Sequence, residues 1–540
     1  MSAARLVALG GLGEFGANSL LVEDDGGGIL IDAGAAFSDM AAFGVGYEVP
    51  DFASLGQAPR AVAFTHAHDD HINGLAFLRE AFPAVEVFGS ATTLAWARHS
   101  AEPGAALDGR ELRADRPAAV GPFEVAALPV SHSIPGSVAL RLRAAAGTMV
   151  VATDLRLAPS ALGATTSLDT LAAWGDAGVD LLLLDATNAL VEAEPPSEET
   201  VAAALEEQVA KARGAVVAVS FASQLGRFRQ LALAAARAGR VIVPVGRGLV
   251  EALEVQSGAG GLRLPLDVVR PARDLARLQR DRVVVVATGS QGEAGSAFSR
   301  LAVDLLPGMR LRAGDTVLHA ARVIPGHERR LAHLFDHCVR RGARVITAAE
   351  APLHASGHPH RAELARLLEL LRPRVVLPVH GQRRHLEAVG DLARGRGIAA
   401  VVVENGEELE WDGARLAPSG ELRGVGRILL DDVGDEVLDA AVLKHRRSLA
   451  REGLVVAVLP RSSADHGALG EPQIHVSGMP MAASLRDRLA AGVGAELARG
   501  GAIARRDPEW LRSTMSRWIR NELRRRTRRR PVVVALVVEL

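Results

Sequence analysis

Seven consecutive residues, Thr65-His66-Ala67-His68-Asp69-Asp70-His71, constrain this chain more than any other feature of it. They end an apolar run that predicts a strand over 61–65. Three histidines and neighbouring carboxylates so close together offer imidazole nitrogen and hard oxygen to a zinc-like cation. Left at the end of a buried strand without a metal, each group would need its desolvation offset by hydrogen bonds, which is costly. A purely structural role is the weaker explanation. A metal centre in turn demands that more donors arrive from elsewhere in the chain.

Four further apolar runs end in the same manner. Residues 125–130 lead into Ser131-His132-Ser133, 149–153 into Asp154, 181–184 into Asp185 and 375–379 into His380-Gly381. Strands whose C-terminal ends share one sheet edge bring such residues together, where α/β proteins place their sites. Any one of them alone would more often be a satisfied hydrogen-bonding residue than a ligand; the repetition carries the argument.

The remaining pattern is α/β. Short β-branched and Leu-rich runs alternate with longer Ala/Leu/Arg segments of helical period. Strands are also expected over 6–9, 20–23, 29–32, 216–220, 241–245, 283–288 and 344–347, and helices over 72–81, 198–212, 228–238, 329–341, 361–371 and 479–499. The first third is rich in strands and turns, and 206–350 reads as repeated βα units. A hairpin-like stretch after about residue 405 leads to another αβ segment closed by a late strand over 531–540. With 540 residues, 48% hydrophobic and 4% aromatic, the chain has material for about three or four domains.

Formal charge is −1, and lysine occurs only at 211 and 444, so binding of an anionic polymer would rest on local arginine clusters. The run 524–530, arginine broken only by Thr527, reads first as a solvated helix end or linker and second as a phosphate-facing patch. The single cysteine, Cys338, excludes an intrachain disulfide and cysteine-based zinc ribbons. No basic-then-apolar leader opens the chain, and no apolar run reaches the roughly 18 residues that span a membrane, so a cytoplasmic protein with no membrane partner is expected. Gly11-Leu12-Gly13-Glu14-Phe15-Gly16, with Asp32 downstream, imitates a dinucleotide fingerprint. That fingerprint requires a helix next, whereas strands are expected, so these glycines should shape a loop near the metals. His99, His333, His337, His385, His445 and His466 lack ligand-spaced partners and are expected at the surface or hydrogen-bonded; His319 and His327 stay unassigned.

The order His-x-His-x-Asp-His, then His, Asp and His, resembles the metallo-β-lactamase superfamily. The wider sequence resembles its β-CASP branch, and the ribonuclease J family closely. The segments that carry this are Gly10–Gly16, Ser131-His132-Ser133-Ile134-Pro135, Asp185-Ala186-Thr187-Asn188, Phe221-Ala222-Ser223, Thr288-Gly289-Ser290-Gln291-Gly292-Glu293, Ile324-Pro325-Gly326-His327-Glu328, Ser356-Gly357-His358, Pro378-Val379-His380-Gly381 and Arg526-Thr527-Arg528-Arg529-Arg530-Pro531. They span almost the whole chain.

The resemblance implies a metallo-β-lactamase αββα sandwich over 1–205 and 350–425, an inserted β-CASP α/β domain over 206–349, and a linker with a small C-terminal α/β domain over 426–540. It implies two zinc ions per chain, with Mn2+ or Mg2+ as alternatives in use. His66, His68 and His132 would hold one ion, Asp70, His71 and His380 the second, and Asp154 would bridge them. Asp185 would orient a metal-ligand imidazole, Asp70 would act as base and His358 as acid toward the departing 3′ oxygen. Phe221, Ser223, His354, Ser356, Gly357 and His358 would contact RNA, with Ser356 and Gly357 opening a helix-like segment whose N–H groups hold a phosphate. The implied activity is 5′-to-3′ exonuclease and endonuclease cleavage of single-stranded RNA in its decay and maturation. A homodimer or larger assembly through the C-terminal domain, and partner proteins of RNA decay, are implied with it. The alternatives are a DNA-processing nuclease of the same fold and a catalytically weak RNA-binding scaffold. Three positions depart from the family pattern: Gly136 where Asp is usual, Pro359 where Ala is common, and Gln382 where Glu is usual. They leave the proposed ligands intact and put the tuning around them in doubt.

Overall fold

The computed structural model describes residues 3–101, 107–324, 326–433, 436–464 and 470–540; Pro325 and His466 lie outside the described residues. The chain forms two compact units, one of Met1–Phe37 with Glu48–Arg427 and one of Ser38–Tyr47 with Ile428–Leu540.

The first unit contains an eight-stranded and a seven-stranded sheet. Strand Ala4–Gly10 shows how sequence makes the layers: Leu6 and Ala8 enter the core shared with the second sheet, while Val7 and Leu9 enter a core under helices on the opposite face. Side chains alternate across a strand, so a strand buried on both faces must be apolar at nearly every position. Helices Arg361–Leu371 and Arg383–Arg394 supply Leu364, Leu367, Leu386 and Val389 to the core of the second sheet, completing an αββα sandwich.

In the seven-stranded sheet Gly147–Ala152, Leu181–Asp185 and Val375–Val379 run parallel and adjacent, with Ala152 opposite Leu184 and Asp185 opposite Val379. Phe123–Pro129 reaches this group through Val138–Ala144, antiparallel to both neighbours, so it points the same way. The fifth ligand-bearing strand, Ala61–Ala63, belongs to the other sheet. The donors therefore converge from two sheets at one end of the sandwich, where Val138 N–H donates to Thr65 O at 2.9 Å, and not from one sheet edge.

Between the two halves of the sandwich lies an inserted parallel sheet, ordered Val241–Val245, Val283–Ala287, Val216–Val219, Thr316–His319 and Arg344–Ile346. Thr316–His319 was not expected from sequence: four residues ending in His give no alternation to read. The helix expected over 72–81 is two, Asp69–Ile72 and Leu75–Ala81. They part at Gly74, where a side chain would meet the Ala33 and Gly34 carbonyls. After Gly16 comes strand Ser19–Asp24 and no helix, which removes the dinucleotide fingerprint.

The second unit holds a three-stranded sheet. The late strand Val532–Glu539 pairs in parallel with Leu454–Arg461, which pairs antiparallel with Gln473–Ser477. Helices Ala483–Ala498 and Pro508–Thr527 pack Leu489, Val493, Met515, Ile519 and Leu523 against Val455, Ala457 and Val533. No helix among the described residues is long and apolar enough to cross a membrane.

Candidate metal centre

The strand ends bring every expected ligand into two adjoining groups: His66, His68, His132 and Asp154, and Asp70, His71 and His380. In the first, His68 Nδ1 lies 2.9 Å from His66 Nε2 and 3.1 Å from His132 Nε2. Asp154 Oδ1 lies 3.8 Å from His66 Nε2 and 3.7 Å from His132 Nε2. In the second, Asp70 Oδ2 lies 3.6 Å from His71 Nε2 and 3.1 Å from His380 Nε2. Asp154 Oδ2 faces this group, 3.3 Å from His71 Nε2. Four donors tetrahedrally placed at zinc–nitrogen distance are separated from one another by roughly 3.3 Å. Both groups have about that spacing, and the two oxygens of Asp154 are divided between them.

Each imidazole is also held from behind. His66 Nδ1 lies 3.0 Å from Thr65 Oγ1, His68 Nε2 3.2 Å from Ser133 Oγ, His71 Nδ1 2.7 Å from Asp32 Oδ2, His132 Nδ1 3.0 Å from the Gly357 carbonyl and His380 Nδ1 2.7 Å from Thr187 Oγ1. A protein partner on one ring nitrogen fixes the tautomer and aims the other nitrogen at a metal. Backbone strain points to the same place: Asp32, Asp154 and His380 have φ of 60°, 53° and 61°, a left-handed conformation that non-glycine residues rarely adopt. Asp154 Oδ2 is buried and has no hydrogen bond among the described residues, an orphaned acceptor of the kind a cation satisfies.

Burial, then the charge on neighbouring histidines, lowers the His66 pKa well below the usual imidazole value and that of His68 to about 3. Burial likewise lowers His132 to about 4, so all three are neutral Lewis bases at neutral pH. At His71 and His380 burial acts in the same sense, but the facing carboxylates, Asp154 foremost, outweigh it; His380 is raised to about 9. The donor chemistry and the spacing fit a metal cofactor.

Asp185 is fully buried, but its nearest imidazole is not a proposed ligand. Its Oδ2 lies 2.9 Å from His358 Nδ1 and accepts from Asp154 N–H at 3.1 Å, while His380 is oriented by Thr187. Asp185 therefore orients His358, and with His358 and His380 it forms a third cluster of possible cation donors beside the two groups above. Ser356 and Gly357 do not begin a helix. The helix starts at Arg361, after Pro359, which biases His358 away from the helical region. Their polar groups are also committed: Gly357 O to His132, Ser356 O to Arg156 Nη1 at 2.8 Å, and Ser356 Oγ to Asn188 Nδ2 at 2.9 Å. A side chain at 357 would overlap the His132 ring, so glycine is required by that close approach. Ser356 and Gly357 border a cavity with His132, Ser133 and Arg156.

His354 is held neutral, its pKa lowered to about 3 by burial and by Arg227 and Arg322. Phe221 and Ser223 are half-buried at the end of strand Val216–Val219. Neither they nor His354 belong to the cation-binding groups. His385 is buried edge-on to Phe15, not at the surface. Of the departures, Gly136 has φ 76° and its side-chain space is filled by Thr92 and Ser90, Gln382 occupies the N-cap position of helix Arg383–Arg394 without a side-chain capping bond, and Pro359 is buried beside His358.

Sequence reasoning missed Asn18, Asp32, Thr187, Asn188, Arg156 and Arg322. Asn18 Nδ2 reaches Asp70 Oδ2 at 3.3 Å and His71 Nε2 at 3.0 Å. Asn188 also donates to His358 O at 3.2 Å and accepts from Arg322 Nη1 at 2.6 Å. Asp32 could have been found, since it follows the apolar run 29–31 as Asp154 and Asp185 follow theirs.

Comparison with known proteins agrees along the chain. Family models match for the metallo-β-lactamase superfamily over residues 12–195, the ribonuclease J β-CASP domain over 213–338, a Zn-dependent metallo-hydrolase RNA specificity domain over 342–403 and the ribonuclease J C-terminal domain over 441–540. Ribonuclease J of Sinorhizobium meliloti is 33% identical over 98% of this chain and 96% of its own length. The chain belongs to the ribonuclease J family. The Mycolicibacterium smegmatis family member is 32% identical over 99% of this chain and 97% of its own, and ribonuclease J2 of Bacillus subtilis 28% over 99% and 98%. A solved Enterococcus faecalis protein of unknown function shares the fold at a TM-score of 0.54 and 16% identity, over 76% of this chain and all (100%) of that one. Membership places the chain among metal-dependent ribonucleases of metallo-β-lactamase fold with an inserted β-CASP domain.

Proposed function

We propose that this chain is a zinc-dependent ribonuclease that cuts single-stranded RNA both 5′-to-3′ from an end and internally, in RNA decay and maturation. The observation that carries this is the two-sided restraint of the cluster: five imidazoles each have one nitrogen on a protein partner and the other turned to a shared centre. In this assignment His66, His68 and His132 would hold one cation and Asp70, His71 and His380 the other, with Asp154 offering one oxygen to each group. Cations held there would supply Lewis acidity, which makes water a nucleophile near neutral pH and offsets charge on phosphoryl oxygens.

The chain's own residues supply the rest. Asp70 stays ionised because His71 and His380 outweigh its burial, and it takes the proton of the attacking water. His358, anchored through Nδ1 by Asp185, gives a proton to the departing 3′ oxygen, and the product keeps a 5′ phosphate. Ser356 and Gly357 border the approach to the cluster, and Phe221, Ser223 and His354 are assigned as nucleotide contacts on family likeness. Domain borders near 205, 349 and 425, a cytoplasmic location, an assembly through the C-terminal unit and RNA-decay partner proteins belong to the same proposal.

The test is digestion of one single-stranded RNA and its DNA equivalent, each with a 5′ monophosphate or triphosphate, with and without a chelator. The His66→Ala and Asp70→Ala variants run alongside. Chelator-sensitive release of mononucleotides from monophosphorylated RNA, lost in both variants, is expected. Equal cleavage of DNA would move the assignment to DNA processing, and tight RNA binding without cleavage would move it to a scaffold.

A further inference from the structure

The arginine run near the C-terminus plays no part in the catalytic argument. Residues 505–530 contain eleven arginines against three carboxylates, a net charge of +8 in a chain whose total is −1. Most of them lie on helix Pro508–Thr527, whose buried face is Leu511, Thr514, Met515, Ile519 and Leu523. At 3.6 residues per turn Arg517, Arg520 and Arg524 fall within a sector of about 60° on the opposite face. All three are exposed, as is Arg528, which closes the helix at φ 59° with its N–H on Arg524 O.

Two ordinary explanations account for only part of this. Cations favour a helix C-terminus, but the effect fades within the last turn, which Arg517 and Arg520 precede. Ion pairing within the helix occupies Arg525 and Arg526, both on Glu522. Among the described residues no carboxylate lies within ion-pair distance of Arg517, Arg520, Arg524 or Arg528. Four guanidinium groups in a row, unneutralised on a solvent face, form a surface for a linear polyanion. Arg517 to Arg528 spans about 16 Å along the axis at 1.5 Å per residue, roughly five nucleotides of a stacked strand at 3.4 Å each. The planar fork of arginine suits phosphate oxygens and carries no preference for base.

We propose that the Arg517, Arg520, Arg524 and Arg528 stripe is a second RNA-contact surface that holds the phosphodiester backbone outside the catalytic centre without regard to sequence. The choice of RNA over an acidic protein rests on the ribonuclease assignment above. The site would increase affinity for long RNA and leave turnover of very short RNA untouched.

The experiment compares two quadruple variants of the full chain. One carries Arg517→Gln, Arg520→Gln, Arg524→Gln and Arg528→Gln, and the other carries lysine at the same four positions. Binding to an RNA of about 30 nucleotides is measured against salt in an Asp70→Ala background that does not consume it. Each lost phosphate contact should flatten the plot of log affinity against log salt by about 0.7 for a single strand. The glutamine variant is expected to be shallower by about 2–3 and to bind roughly tenfold or more weakly at low salt. The lysine variant should keep the slope. With Asp70 intact, cleavage of a very short RNA should proceed at the same rate in both variants; its absence in every form, wild type included, would refute the ribonuclease assignment and not the stripe. A glutamine variant with the wild-type slope overturns the proposal.

Discussion

The sandwich and the inserted sheet both deliver polar residues from the C-terminal ends of parallel strands, yet the residues differ in kind. In the sandwich the ends carry bases: His132, Asp154, Asp185 and His380, joined by His66, His68, Asp70 and His71. In the insert they carry Ser220 and Phe221 after one strand, Thr288-Gly289-Ser290-Gln291 after another and Ala320-Ala321-Arg322 after a third. No carboxylate is among the latter. Arg227 is fully buried in the insert, and it and Arg322 help burial to keep His354 neutral. One backbone geometry thus prepares two electrostatic settings, one that gathers imidazoles and carboxylates and one that buries a guanidinium, Arg227, against Glu198. The loop 356–358 lies where they meet: His132 and Asp185 hold it from the cation side and Arg322, through Asn188, from the other.

The largest effect expected from dividing the two settings is at His358. Its ring lies against Asp185 in a third cluster that shares only His380 with the two groups assigned to cations, so His358→Ala should lower kcat by about 10²–10⁴ while bound metal per chain stays constant. Metal analysis of the purified variant beside its single-turnover rate checks this. Loss of metal together with activity would place His358 among the ligands and erase the distinction.

Asp32→Asn probes the cation side from behind. Asp32 accepts from Thr65 N–H at 2.7 Å and Thr65 Oγ1–H at 2.8 Å as well as orienting His71. Loss of such a support costs about 10–100-fold in metal affinity. Metal titration should show a weaker midpoint, with kcat recovering once metal is in excess; a kcat that stays low would mean that Asp32 acts on the reaction and not on the ligand.

These supports also mark how far the sequence could be read. The expected donors were legible because they follow apolar runs, four of them the one run over 61–65 and His132, Asp154 and His380 one run each, and a His or Asp at the end of a buried strand is conspicuous in one dimension. The sandwich was legible for the same reason, through runs such as 181–184 and 375–379. The partners behind the ligands were not. Thr187, Asn188 and Asn18 are small polar residues of ordinary kind, and only contacts across 193, 168 and 52 positions of sequence give them meaning. The helix expected at Ser356 failed because tertiary commitments of Ser356 and Gly357 overrode a local pattern.

Arg322→Gln is the smallest and most discriminating of the changes. Arg322 comes from the insert, is otherwise exposed, and reaches Asn188, whose amide donates to both Ser356 Oγ and His358 O. A hydrogen bond from a charged donor contributes about 1.5–3 kcal/mol when buried; water can replace part of it here, so a loss of about fivefold to tenfold in kcat is expected. Because the loop bears His358 and no direct ligand, metal affinity should not move, the reverse of Asp32→Asn. Arg322→Lys keeps a donor within reach of Asn188 and should recover most of the rate. Should Arg322→Gln instead weaken metal binding through Gly357 and His132, the insert would be part of the cation site and the two settings would be one. A rise in KM at constant kcat would show Arg322 meeting RNA directly, leaving Asn188 to fix the loop alone.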